Sequence, residues 1–331
     1  MLLCFTLAAV LGVIFANGFT DAPNAIGSAV ACRAISLRQA AVIGVLFNFL
    51  GVAVMTLWCD RVAQTVFLMV DLTHTENALG VLGAGMMSVC VWAVAAWAFG
   101  IPTSESHALL AGLTGAALAA GGTASPAAWK KVLCGLLVCS AAAFFIAWGL
   151  GYTIRKLCRA KERVRTQRLF LRGEILSACA NAFLHGAQDG QKFMGGMMLA
   201  LFWAGKAAMR AQGAFDVPVL VVVVCAGVMG LGTLAGGKRI IKKVGFDMVR
   251  GLQTYQACAA DAAAALCLLI SSLSGLPVST TNAKTTALMG ACAQHRKRSV
   301  RWQVAGEMFL AWGITFPGCG ALGYLFTKWL V

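Results

Sequence analysis

Long uncharged stretches alternate with short charged ones along the whole chain. Residues 1–20, 77–104, 106–129, 132–154, 217–237 and 308–327 hold no Asp, Glu, Lys or Arg. Each is near or above the ~20 residues a helix needs to cross a bilayer. Residues 41–58 form a slightly shorter run, and 173–205, 251–273 and 275–294 are apolar apart from a few charges. The pattern predicts an all-α polytopic membrane protein of about ten transmembrane segments, with short loops and no large soluble domain. Residues 1–15 lack a basic start and a cleavage site, so they read as a retained membrane segment rather than a signal peptide.

Composition agrees and removes other classes. Hydrophobic residues make up 60% of the chain and charged residues only 12%, about half the ~25% of a soluble domain. A soluble globular enzyme, a disordered tail and an extracellular disulfide scaffold are excluded. The 13 cysteines are isolated, without a C-x-x-C pair, and read as small apolar residues within helices.

The net charge of +15 invites a nucleic-acid reading until it is located. Segments 33–38, 152–172, 238–250 and 296–301 hold 19 of the 27 basic residues and only Glu162 and Asp247 among acids. The rest of the chain carries 8 basic and 10 acidic residues. The excess is therefore a positive-inside signal for a multi-pass protein of the plasma (inner) membrane, and its large partner is the lipid bilayer, not nucleic acid. Threading all four basic segments to the cytoplasm puts residues 59–77, with Asp60, Asp71 and Glu76 against Arg61, outside. Five crossings precede the basic linker and five come after it. Trp58, Trp129, Trp302 and Trp329 fall at span ends as interfacial anchors. The expected organisation is a first repeat over 1–151, a cytoplasmic linker over 152–172, and a second repeat over 173–331. A re-entrant hairpin at either Pro-x-Ser segment, residues 102–104 or 277–279, changes the parity of this threading.

An odd number of crossings per half implies that the halves are inverted. Residues 100–116 (GIPTSESHALLAGLTGA) match residues 275–291 (GLPVSTTNAKTTALMGA) at 7 of 17 positions with an offset of 175. Residues 15–29 align with 183–197 at an offset of 168, bringing Asp21 onto Asp189. Two inverted repeats with broken helices are a recurring plan of secondary transporters, with the binding site at the interruptions near the midplane. Gly18, Pro23 and Gly27 interrupt the first span around Asp21 and Asn24; Gly186, Gly190, Gly195 and Gly196 do so around Gln188, Asp189 and Lys192. Pro102 and Pro277 precede Ser-rich helix starts.

Those residue types suit an anion carried with a cation. Charge at membrane depth is costly and marks a functional site. Asp21 and Asp189 are candidate cation ligands, for sodium if sodium is the coupling ion, or proton carriers. Two bare carboxylates repel an anion, so a cation or proton must accompany it. Helix starts at Ser104, Ser106, Ser279, Thr280 and Thr281 offer hydroxyls, free N–H groups and the positive end of the dipole to an oxyanion; plain N-capping is the competing reading. Lys192 either neutralises Asp189 or meets the anion. Asp261, deep in an apolar run, is functional or paired. Asn48 reads as an interhelical hydrogen-bonding residue.

With these motifs assembled, the chain resembles the PiT inorganic phosphate transporter family. FANGFTDAPNAIG (residues 15–27) resembles its signature, HGAQDGQKFMG (185–195) its second copy, and GIPTSESH and GLPVSTTN its two Pro-x-Ser segments. The four fall in order over most of the chain. The resemblance implies cation-coupled phosphate uptake, by sodium or by protons with a metal–phosphate complex, with no other cofactor. It implies a site lined by Asp21, Asn24, Asp189, Ser104, Ser106, Ser279, Thr280 and Thr281, and a homodimer. Three positions depart from the family pattern: Gln188 for an Asn, Glu105 for a small hydroxyl residue, and Asn282 for a His. Lys284 adds a positive charge that is expected to offset Glu105.

The expected function is secondary active uptake of inorganic phosphate by cation symport through alternating access. A sulfate permease is the alternative within transport; sulfate has no proton to give at neutral pH, which favours phosphate at a site with carboxylate acceptors. An intramembrane phosphatase or phosphotransferase is a different class, and no nucleophile beside a base supports it; a passive channel gives no reason for inverted, interrupted helices. The linker leaves room for a cytoplasmic regulatory protein.

Overall fold

The computed structural model describes residues 1–59, 61–72, 75–99, 103–207, 216–235, 241, 248–249, 251–295 and 297–331. Pro102, Asp60, Asp247 and most of basic segment 238–250 lie outside the described residues.

Helices dominate. In chain order they are α1 (Leu2–Thr20), α2 (Ala22–Ala31), α3 (Leu37–Trp58), α4 (Arg61–Phe67), α5 (Ala78–Ala98), α6 (Glu105–Ala119), α7 (Pro126–Cys158), α8 (Arg163–His185), α9 (Gln191–Trp203), α10 (Val219–Ala235), α11 (Thr254–Leu273), α12 (Thr280–Ala293) and α13 (Trp302–Leu330). Polar residues fix several starts. Ser36 and Gln39 form a capping box for α3, and Ser125 accepts from Ala128 N ahead of Pro126 at the first position of α7.

Among the described residues, six helical stretches are long and apolar enough to cross a membrane: Leu2–Ala31, Leu37–Trp58, Ala78–Ala98, Pro126–Cys158, Thr254–Leu273 and Trp302–Leu330. Their outward faces carry exposed Leu137, Val138, Phe145 and Leu325, as lipid-facing helices do. The two Pro-Ser segments differ from the full spans expected of them. α6 has 15 residues and α12 has 14, about 21–22 Å of helix at 1.5 Å per residue, short of the ~30 Å hydrocarbon core. Each begins in the protein interior after extended backbone at Ser104 or Ser279. Both still return the chain to the side it left. Strand Val70–Asp71, before α5, pairs antiparallel with Thr123–Ala124, after α6. The bridge Val249↔Val300 does the same around α11 and α12.

Packing repeats one pattern twice. α1 packs on α5 and α10, while α8 packs on α11 and α3; α6 packs on α13, while α12 packs on α7. The close crossings repeat as well. A Cβ on Gly18 would overlap Met229 O of α10, and one on Gly186 would overlap Asn48 O of α3. Likewise Gly115 lies against Gly320 O and Gly290 against Phe144 O. Glycine at these points lets backbones meet, as small residues do at membrane helix interfaces.

The interruptions around the two aspartates are tighter than unwound backbone. Asp21 is a single residue between α1 and α2, still near helical geometry at φ −101°, ψ −40°; Pro23 lacks an N–H and ends the regular ladder. Gly186–Gly190 forms a π-turn between α8 and α9, an inserted residue of the kind that gathers at functional sites. The basic linker is also mostly helical: Tyr152–Cys158 ends α7 and Arg163 begins α8.

Candidate functional site

Four elements converge at the centre: the α1/α2 break, the π-turn, and the starts of α6 and α12. Asp21 and Asp189 are 2% and 1% exposed. Asp21 Oδ1 accepts from Thr281 Oγ1 at 2.5 Å, and Asn24 Nδ2 donates to the same threonine oxygen at 2.9 Å. Asp189 Oδ2 accepts from Thr280 Oγ1 at 3.1 Å and from Asn17 Nδ2 at 3.2 Å. Adjacent hydroxyls on the first turn of α12 thus tie the two carboxylates to one helix start.

Lys192 is buried beside them. Its Nζ lies 2.5 Å from Asp189 Oδ1, donates to Ser106 Oγ at 2.7 Å, and also donates to Val278 O. Of the two readings of this residue, its contacts favour neutralisation of Asp189. Sequence reasoning passes over His185, yet its Nε2 lies 3.3 Å from Asp189 Oδ2. Its Nδ1 meets Asn48 Oδ1 at 2.7 Å, which gives Asn48 the interhelical role expected of it. Asp21, His185 and Asp189 bring ligand atoms within 4.8 Å of one another. A cavity of about 10 Å³, lined in part by Asp21, Asn24, His185, Thr280 and Lys284, adjoins them. That is room for one water-sized particle and too little for a tetrahedral oxyanion, so an anion can enter only if the helices part.

Two of the candidate hydroxyls serve as helix caps. Ser104 accepts from His107 N at 3.3 Å and Ser279 from Asn282 N at 3.1 Å. Asn282 completes the second cap by accepting from Ser279 Oγ at 2.9 Å. Glu105, 1% exposed, accepts from Thr20 Oγ1, while its Oε2 has no hydrogen-bond partner among the described residues. Gln188 donates to Ser272 Oγ and Leu276 O at 3.0 and 3.3 Å, holding the extended run ahead of Ser279.

Lys284 does not offset Glu105. It is ion-paired with Asp261 and donates to Ser28 Oγ at 2.8 Å and Ala25 O at 3.2 Å. Ser28 Oγ lies 2.9 Å from both Asp261 carboxylate oxygens. The reason is register: Lys284 is one helical turn beyond Thr280, on the α12 face that packs on α2 and α11. Glu174, fully buried on α8, is equally inconspicuous in sequence.

The sequence pattern of the phosphate transporter family matches residues 17–323. The chain is 33% identical over 312 residues to a probable low-affinity inorganic phosphate transporter of Bacillus subtilis, covering 93% of this chain and 91% of that one. It is 33% identical over 334 residues to a protein of the same description from Mycobacterium tuberculosis, covering 100% and 78%. A solved structure described as the sodium-dependent phosphate transporter superposes with a TM-score of 0.88 at 20% identity, covering 99% of this chain and 98% of that one; this likeness establishes the fold.

Proposed function

This chain belongs to the phosphate transporter family and is a transporter rather than an enzyme, and we propose that it takes up inorganic phosphate by cation symport through alternating access. The observation that carries the reading is the tie between Asp21 and Asp189 through neighbouring hydroxyls, Thr281 and Thr280, on one helix start. The carboxylates hold the coupling cation, sodium or a proton. The first turns of α6 and α12, with Ser106, Thr280 and Thr281, receive the phosphate. With Asp189 paired to Lys192, a cation at Asp21 removes the remaining repulsion that otherwise excludes the anion, so the two cargoes load together.

The matching helix crossings at Gly18 and Gly186, and at Gly115 and Gly290, support two inverted repeats over 1–151 and 173–331. The repeats rock about the centre, and the residue 152–172 segment faces the cytoplasm of the plasma membrane. The transporter works as a homodimer, and its basic 152–172 segment offers a docking face to a cytoplasmic regulatory protein.

The test is labelled phosphate uptake by purified protein in proteoliposomes under an imposed sodium or proton gradient, with sulfate as competitor. Accumulation above equilibrium under one gradient, unaffected by sulfate, supports the proposal. If neither gradient drives accumulation, the symport reading fails; strong sulfate competition moves it to the sulfate permease.

A further inference from the structure

Several residues around the centre are matched between the two halves, and charge differs at two of the matched positions: Glu105 stands against Thr280, and Asn24 against Lys192. Offsets of 168 and 175 residues carry Asp21 onto Asp189, Asn24 onto Lys192, and Ser106 onto Thr281. The contacts obey the same map. Asn24 Nδ2 is 3.4 Å from Asp21 Oδ1 and 2.9 Å from Thr281 Oγ1. Lys192 Nζ is 2.5 Å from Asp189 Oδ1 and 2.7 Å from Ser106 Oγ. An amide on one side therefore stands where an ammonium stands on the other.

The oxygens around Lys192 Nζ are a carboxylate, a hydroxyl and the carbonyl of Val278. Those are the donors that hard cations take in proteins. On the other side the corresponding groups are the Asp21 carboxylate, the Thr281 hydroxyl and, at the position matching Val278, Thr103. Lys192 is 1% exposed, and its ammonium is tethered, so it neutralises Asp189 without being carried across.

We infer that Lys192 is a built-in cation: its ammonium fills one of two pseudo-symmetric positions for a sodium-sized monovalent cation, and the position at Asp21 and Thr281 is left for a mobile one. The inference rests on the proposed symport. It assigns this chain one carried cation fewer per phosphate than the same centre would take with an amide at residue 192. Glu105 and His185 also face the centre, but both are constant across the variants compared and cancel from the difference.

The experiment counts charges moved per labelled phosphate in proteoliposomes, from the membrane voltage that just balances an imposed phosphate gradient. Lys192→Asn is expected to raise the count by one and to add one to the Hill coefficient for sodium. Asn24→Lys is expected to lower the count by one. An unchanged count in an active Lys192→Asn protein overturns the inference. If that variant does not transport, sodium stabilisation of the purified protein decides. Lys192→Asn should gain more in Tm from added sodium than the wild type, and Lys192→Met should not; equal gains for the two variants overturn the inference. Absence of phosphate accumulation by the wild type defeats the proposed function instead, and the sodium comparison remains readable on its own.

Discussion

The pair Asp261–Lys284 permits a quantitative test of the packing account. Both residues are at most 1% exposed. The three Lys284 ammonium protons have three acceptors: Asp261 Oδ1, Ser28 Oγ and Ala25 O. The offset of 175 residues places Met86 and Leu109 of the first half at the positions of Asp261 and Lys284, and both are buried apolar residues. The first half therefore shows what an uncharged version of this contact contains. Lys284→Leu leaves the buried Asp261 carboxylate with Ser28 and the buried Glu174 near it and no cation, and Asp261→Met leaves a buried ammonium. Either change should cost about 3–5 kcal/mol, the usual penalty for removing one partner of a buried pair. That is roughly two to nearly four powers of ten in the unfolding constant. The double variant, Asp261→Met with Lys284→Leu, should lie within about 1.5 kcal/mol of wild type, since apolar replacement of a whole buried pair is often close to neutral. The assay is reversible denaturant unfolding in micelles, followed by the fluorescence of the nine tryptophans, for all four corners of the cycle. Additive single effects, or a Lys284→Leu protein as stable as wild type, would show that the pair is not what holds α11 to α12.

Other substitutions probe the backbone. Gly186→Ala places a Cβ against Asn48 O of α3 and should cost about 1–3 kcal/mol or prevent assembly, whereas Gly227→Ala, with nothing near its added Cβ among the described residues, should leave thermal stability in detergent unchanged. Ser279→Ala removes the cap on Asn282 N and should cost about 1 kcal/mol, read as a lowered unfolding midpoint. His185→Ala breaks both the Asn48 contact and the approach to Asp189; transport should fall more steeply than stability when uptake and unfolding are measured on the same preparation.

The charged centre is legible in the sequence because charge is conspicuous in an apolar run. Asp21, Asp189 and Lys192 each interrupt a stretch with no other reason to be polar, and their duplication ties them together. The hydroxyl-rich helix starts are legible too, but not which hydroxyl does what. Ser104 and Ser279 spend theirs on caps, while Thr280 and Thr281, one and two residues beyond Ser279, face the carboxylates. His185 is hidden because its reach to Asp189 runs through a π-turn, and a π-turn leaves no periodicity to read. Glu174 is hidden by its neighbours: a carboxylate next to a basic segment looks solvated, and only the packing of α8 buries it. Helix length misleads at α6 and α12. Apolar composition continues past their ends into loops and neighbouring helices, so hydropathy alone does not reveal where these half-length helices stop.

The central claim is that Asp21 and Asp189 together couple a cation to phosphate. Its most direct test is the initial rate of labelled phosphate accumulation under the driving gradient, in proteoliposomes holding equal amounts of folded wild type, Asp21→Asn and Asp189→Asn. The account predicts that each single change abolishes accumulation. Near-normal accumulation by both variants would contradict it.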